Sequence, residues 1–299
     1  MRYNRWFFEA LNPKETHTHG FLGEIVFTTR TKYQVVEVIE NPEYGKILFI
    51  DSRIQSAQAD EFIYHEALVH PGINILENIP TNVFIAGGGE GATLREVIKY
   101  KDIQKIIMVD IDKEVVEFAK ENLREFHQGA FFDPRVELYY EDAREFLTKF
   151  KGLLFDIILI DIPEPAKEGA SCFLFTKEFY DILKTKLTNT GLCVIQAGPT
   201  SITQIDLFAS IHKTLSCVFK RVIPYQVFIP SFSAPWGFMI ATSYNKINPT
   251  YVKKERIENL NLKFYDEDIH QAIFVLPKFI KEALKIKGEV ITDKHPLLL

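Results

Sequence analysis

The stretch VFIAGGGEGATLREVIKYKDIQKIIMVD, residues 83–110, decides the fold. Residues 83–86 are a short apolar run of strand formers. Gly87, Gly88 and Gly89 follow at once, then Glu90, Gly91 and a helical repeat that sets Leu94, Val97 and Ile98 on one face. The next apolar run, 106–109, ends on Asp110. Strand, glycine turn, helix and strand, with an acid about 20 residues beyond the glycines, form the βαβ dinucleotide-type fingerprint. Gly87 and Gly89 let the backbone approach a ligand, and the acid at the second strand tip accepts hydrogen bonds from ribose hydroxyls. Glu90 narrows the ligand. A helix N-terminus attracts anions, so a carboxylate inside this turn competes with a pyrophosphate and welcomes a cation. The loop therefore suits an adenosyl group with a positive tail, such as a sulfonium or ammonium. Glu90 also reads as an ordinary first-turn helix acid.

Beyond residue 82 strands and helices alternate, which predicts an α/β fold built on a Rossmann-like doubly wound sheet. Helices are expected at 113–123, with Val115, Val116 and Ala119 inward, and at 143–150, 176–187, 201–218 and 277–286. Strands are expected at 136–139, 155–160, 191–196, 221–229 and 236–242, the last two joined by the turn PSFSAP. Asp142 can cap the helix after it or face a ligand, since ligands of open α/β sheets sit beyond the carboxyl ends of strands. Asp161 and Glu164, in DIPEP, stand at the tip of the buried-looking strand FDIILI. The irregular segment 166–175 after them is placed to close over a site.

Residues 1–60 read as a small all-β domain, with strands at 21–27, 33–39 and 46–50, and residues 61–299 as the catalytic domain. So small a sheet needs cover from the larger domain or from another subunit. Gln34 sits in its second strand; His17 and His19 alternate without a third metal ligand, which favours a surface strand. A helix is expected over 60–70, DEFIYHEALVH, stopped by Pro71. Its Tyr64 and His65 are either satisfied core residues or the lining of a pocket beside the glycine loop.

The 299 residues are 46% hydrophobic and 25% charged, with a net charge of −5, an ordinary globular composition that gives no case for nucleic acid. Apolar runs fall short of membrane-spanning length. Cys172, Cys193 and Cys217 show no metal spacing and an odd count, which points to reduced thiols. The N-terminus lacks an apolar leader and cleavage site, so a cytoplasmic, unprocessed protein is expected. Carboxylates gathered at strand tips, without a Ser-His-Asp order, a cysteine nucleophile or a metal motif, suit a cationic substrate and deprotonation of an ammonium.

These residues resemble the polyamine aminopropyltransferases, spermidine synthase and its relatives. The resemblance rests on YQ at 33–34, DEFIYHE at 60–66, GGGEG at 87–91, VDID at 109–112, ED at 141–142, DIPEP at 161–165 and FVLP at 274–277. GGGEGATLREV and HQGAFFDPR resemble the bacterial thermophile branch, and QAGP and IPSF the thermospermine-forming branch. The resemblance implies a methyltransferase-type sheet and a decarboxylated S-adenosylmethionine donor used as co-substrate, with no cofactor and no metal. It implies Gln34, His65, Gly87, Gly89, Glu90, Asp110, Glu141 and Asp142 at the donor, with Glu90 on the aminopropyl ammonium, Asp110 on the ribose and Asp142 on the adenine. Asp161 would be the base, helped by Tyr64. Trp6, Tyr64, Asp161, Glu164 and Phe232 would meet the acceptor, which is putrescine, agmatine or spermidine. Most of the family has an aspartate where Glu164 stands, and many spermidine synthases a tyrosine in place of Phe232. A homodimer or homotetramer built through the N-terminal sheet is implied. The rival reading is a methyltransferase using intact S-adenosylmethionine, whose carboxylate would meet Glu90 as a like charge. A binding module without catalysis is the other, and the presence of Asp161 and Tyr64 argues against it.

Overall fold

The computed structural model describes residues 3–12, 15–165 and 170–297. A five-stranded antiparallel meander comes first: β1 (Tyr3–Asn12), β2 (Glu15–Arg30), β3 (Val35–Asn41), β4 (Gly45–Ile50) and β5 (Arg53–Ala57). The sequence predicts three strands here, and β1 and β5 are additional. β1 pairs along the whole upper half of β2, with Trp6 opposite Gly20 and Phe7 opposite His19. Its run NRWFFEALN lacks the strict polar alternation by which a half-buried strand is recognised.

Helix α1 (Glu61–Ile75) leads into the larger sheet, whose strands are β6 (Asn82–Gly87), β7 (Lys105–Asp110), β8 (Val136–Tyr140), β9 (Phe155–Asp161), β10 (Leu187–Pro199), β11 (Arg221–Ile229) and β12 (Ala234–Thr242). Their order is β11-β12-β10-β9-β6-β7-β8. The five strands from β10 to β8 are parallel, and β12 and β11 close the sheet as an antiparallel hairpin. This is the doubly wound, Rossmann-like sheet expected. The strand order reverses between the parallel neighbours β6 and β9, and a crevice opens there beyond the strand tips.

The intervening helices are α2 (Ala92–Ile98), α3 (Lys113–Asn122), α4 (Arg124–His127), α5 (Ala143–Lys149), α6 (Lys177–Lys186), α7 (Ile205–Ser216), α8 (Glu267–Ile273) and α9 (Lys278–Ile286). Alternation along β6 sorts the two layers: Val83 and Ile85 pack with Leu68 of α1 and Leu94 of α2. Phe84 and Ala86 face Phe146 of α5, Phe179 of α6 and Phe208 of α7. Val36, Val38 and Leu48 of the small sheet pack on Ala92, Val115 and Phe126, which fixes it against α2, α3 and α4.

Pro71 does not stop α1; the helix continues through it to Ile75. A proline leaves the carbonyl four residues back without its N–H partner. That carbonyl belongs to Ala67, and the buried Tyr225 hydroxyl donates to it at 2.8 Å. With nearly every residue of α1 buried, packing outweighs the cost of about 3 kcal/mol that an interior proline carries. α7 begins at Ile205 rather than 201, and β10 at Leu187 rather than 191. Among the described residues no helix is long and apolar enough to cross a membrane.

Candidate active site

Three consecutive glycines bring the strand tips together. Gly87 has φ +80°, and a side chain there would collide with the carbonyl oxygen of Asp161. The Gly88 N–H donates to that same carbonyl at 2.8 Å, which ties the loop to the end of β9. A Cβ on Gly89 would stand 3.0 Å from the Asp110 carboxylate. The loop therefore touches the acids of β7 and β9 at once, and it carries Glu90 between them.

Asp161 is held from both sides. Tyr64 donates its hydroxyl to Oδ1 at 2.8 Å and Thr93 to Oδ2 at 2.6 Å. Burial, then the Glu90 charge, push the Asp161 carboxyl above the usual range, while these two donors pull it back. Burial, with Asp161 next to it, pushes the Tyr64 phenol well up, so it stays a donor. Thr93 escaped sequence reasoning; its signal is a hydroxyl in the first turn after the glycine loop, where α2 faces the strand tips.

Behind Glu90 lies a buried chain of charges. His65 Nε2 donates to Glu90 Oε1 at 2.9 Å, and its Nδ1 to Glu61 at 2.8 Å. Glu61 also receives Arg95, whose Nε reaches Glu96 at 2.8 Å. Burial opposes charge on His65, yet the hydrogen bonds and charges of Glu61 and Glu90 push it up to about 10, so it is an imidazolium at neutral pH. The family resemblance implies His65 along the donor, while the residues alone leave it a satisfied core residue or a pocket lining; it is 1% exposed, bonded to both Glu61 and Glu90, and supports Glu90 from behind. Atoms of His65, Glu90 and Asp161 lie within 4.8 Å of one another; both imidazolium nitrogens are already donating, so the two carboxylates are the groups that can receive a cation. The three residues come from α1, the glycine loop and β9, so linear spacing gives no sign of the cluster.

One cavity unites most of the remaining candidates. Gln34, Gly87, Gly89, Glu90, Asp110 and Asp142 line one part of it; Tyr64, Asp161, Glu164 and Phe232 line the rest. Burial, opposed by the Asp112 N–H, pushes the Asp110 carboxyl up to about 7. Asp112 joins the two sheets: its carboxylate accepts Thr31 at 2.6 Å and Gln34 at 3.0 Å, and it caps α3. Asp142 both caps α5, accepting the Glu145 N–H at 2.8 Å, and faces the cavity. Glu141, its neighbour, is exposed and absent from the wall.

At the far end, Glu164 is 7% exposed, and an Arg53 nitrogen lies 3.6 Å from its carboxylate. Gln196 fixes this segment by donating to the Ile162 carbonyl at 2.6 Å while accepting from Trp236 at 3.2 Å. Phe232 and Trp236 meet edge to face with centroids 4.8 Å apart. Asp60 holds their turn by accepting the Ser231 N–H at 2.7 Å. Trp6, expected at the acceptor, is 56% exposed on β1, packs across Gly20 and is not part of this wall. Gln55, Gln196 and Trp236 line it without having been singled out from sequence. Part of the segment expected to close the site, residues 166–169, lies outside the described residues; residues 170–174 form a short 3-10 helix.

The spermine/spermidine synthase domain family matches residues 61–251, and the spermidine synthase tetramerisation domain matches residues 5–58. The polyamine aminopropyltransferases of Sulfolobus acidocaldarius and Sulfurisphaera tokodaii are each 40% identical to the chain, over 98% of it and 97% of theirs. A spermidine synthase crystallised with the transition state analogue AdoDATO superposes with a TM-score of 0.87 at 31% identity, covering 96% of this chain and 98% of that one. The spermidine synthase of Thermotoga maritima gives 0.84 at 30% identity, covering 96% and 97%.

Proposed function

The chain belongs to the spermine/spermidine synthase family, and from that premise we propose a division of labour among the residues of its cavity. The enzyme is a polyamine aminopropyltransferase; a methyltransferase reading of the same sheet is not favoured. We infer that its donor is decarboxylated S-adenosylmethionine, its acceptor putrescine, agmatine or spermidine, and its by-product 5′-methylthioadenosine. One observation carries this reading: a single cavity joins the ribose-type acid Asp110, the cation-holding Glu90 and the Tyr64–Asp161–Thr93 cluster.

At the donor end, Asp110 receives the ribose hydroxyls and Asp142 the adenine amino group, with Gln34 beside them. Glu90, aimed by His65, holds the aminopropyl ammonium. At the acceptor end, Asp161 accepts a proton from the incoming ammonium, and its raised carboxyl value suits that exchange. The neutral amine attacks the methylene next to the sulfonium. The carbon–sulfur bond breaks, its electrons stay on sulfur as a neutral thioether, and a new carbon–nitrogen bond forms. Positioning and the carboxylates facing the charged nitrogen supply the acceleration. Phe232 and Trp236 take the acceptor's methylenes, a role assigned to them rather than to Trp6.

We assign residues 1–60 and 61–299 to the two domains, the first building a homodimer or homotetramer through its sheet, and infer a cytoplasmic setting. Incubating the enzyme with the decarboxylated donor and the three amines in competition tests the reaction. Methylthioadenosine and one elongated polyamine are expected in equal amounts; methylated product, or none with any amine, overturns the reading.

A further inference from the structure

We propose that Arg53 is a specificity-determining residue, which offsets the charge of Glu164 and so selects against acceptors that bring additional ammonium groups. The inference rests on the aminopropyl-transfer reading above. Arg53 opens β5, directly after the tight turn in which Asp51 and Ser52 both take positive φ. The strand then delivers Ile54 and Gln55 to the cavity wall, while Arg53 reaches Glu164 from outside that wall. The two charges lie 3.6 Å apart, with side-chain exposures of 19% and 8%. A pair so sheltered from water and salt is screened far less than a surface pair.

Glu164 leaves β9 three residues after Asp161, so a charge carried by the acceptor beyond its attacking nitrogen comes near it. Two effects follow from Coulomb's law. Part of the attraction of Glu164 is already spent on a fixed guanidinium. In addition, the guanidinium repels each further positive group on the acceptor, so a triamine is disfavoured more than a diamine. Arg53 belongs to the small sheet and Glu164 to the segment that follows β9 of the large one, so the docking of the two sheets itself sets this charge. The donor's ammonium is assigned to Glu90 of the glycine loop rather than to Glu164, so donor binding is affected less.

The test compares full-length wild-type enzyme with Arg53→Gln, Arg53→Lys and Glu164→Gln, each given the decarboxylated donor with putrescine and spermidine in competition. In Arg53→Gln the ratio of kcat/KM for spermidine to that for putrescine should rise by about tenfold, the scale of one sheltered charge pair. The change should appear in the acceptor KM and leave the donor KM in place. Arg53→Lys keeps the charge and should keep the wild-type ratio. Glu164→Gln removes the carboxylate while keeping the guanidinium and should move the ratio the other way, which tests the proposal even if Arg53→Gln folds poorly. A ratio unchanged within about twofold in both neutral variants overturns the inference. So does a shift in Arg53→Lys as large as in Arg53→Gln, which would make the effect one of shape. Absence of transfer to any amine by the wild-type enzyme would instead overturn the reaction on which the inference rests.

Discussion

Replacing Thr93 by valine removes one of the two hydroxyls that hold the Asp161 carboxylate, the one at 2.6 Å, while keeping the branched shape of the side chain. A hydrogen bond to a charged group contributes about 1.5–3 kcal/mol. At about 1.4 kcal/mol per factor of ten, its loss biases Asp161 toward the protonated form by about ten- to a hundredfold. The direction follows from the two donors, which lower a group that burial and Glu90 raise. Removing a donor favours the protonated form, so the base is available over a narrower, more alkaline range. The assay is kcat/KM for the acceptor across pH at saturating donor, taken as the ratio of variant to wild type so that the acceptor's own titration cancels. At pH values where wild-type Asp161 is itself protonated the ratio should sit about ten- to a hundredfold under one, and it should climb to one at alkaline pH where both forms are ionised. Thr93→Ser should recover the wild-type profile. Asp161→Asn should instead lose about two to four decades of rate at every pH while still binding methylthioadenosine. A Thr93→Val deficit that is flat with pH would refute the reasoning and make Thr93 a packing residue.

Two further outcomes follow from the same geometry. Asp110 titrates near 7 in the free protein, and ribose hydroxyls prefer its ionised form. Methylthioadenosine affinity, measured by calorimetry, should therefore weaken by about tenfold for each pH unit below 7 and level off above it, and Asp110→Asn should show no such slope. Tyr225→Phe strands the Ala67 carbonyl that Pro71 leaves without a helical partner. The variant should lose about 1–3 kcal/mol in urea unfolding, and an unshifted midpoint would contradict this account of how α1 tolerates its proline.

The sequence made the sheet legible because its evidence is local. Residues 83–110 carry strand, glycine turn, helix and acid in one run, and all seven strands of the large sheet end within a few residues of where apolar pattern sets them. Asp142 is open in sequence between cap and ligand contact, and it occupies both positions, because the residue that caps α5 stands only two residues beyond the end of β8. What escaped was nonlocal. β5 is five residues long and recognisable only from its pairing with β4. The stopping power of Pro71 depends on whether another part of the chain can serve a stranded carbonyl, and Tyr225 lies 158 residues away. His65 was legible as a polar residue near the site, but its place behind Glu90 depends on Glu61 and Arg95 closing the network from two helices. The pairing of Arg53 with Glu164, and the entry of Gln196 and Trp236 into the wall, arise only when the small sheet, β9 and the closing hairpin converge.

The central claim is that the cavity is negative where the donor's tail lies because that tail is an amine without a carboxylate. Titrating the enzyme calorimetrically with decarboxylated and with intact S-adenosylmethionine at neutral pH tests it most directly. Glu90, oriented by the buried His65, should make the decarboxylated compound bind at least about tenfold more tightly. Equal affinity for the two sulfonium compounds, or preference for the intact one, would contradict the account.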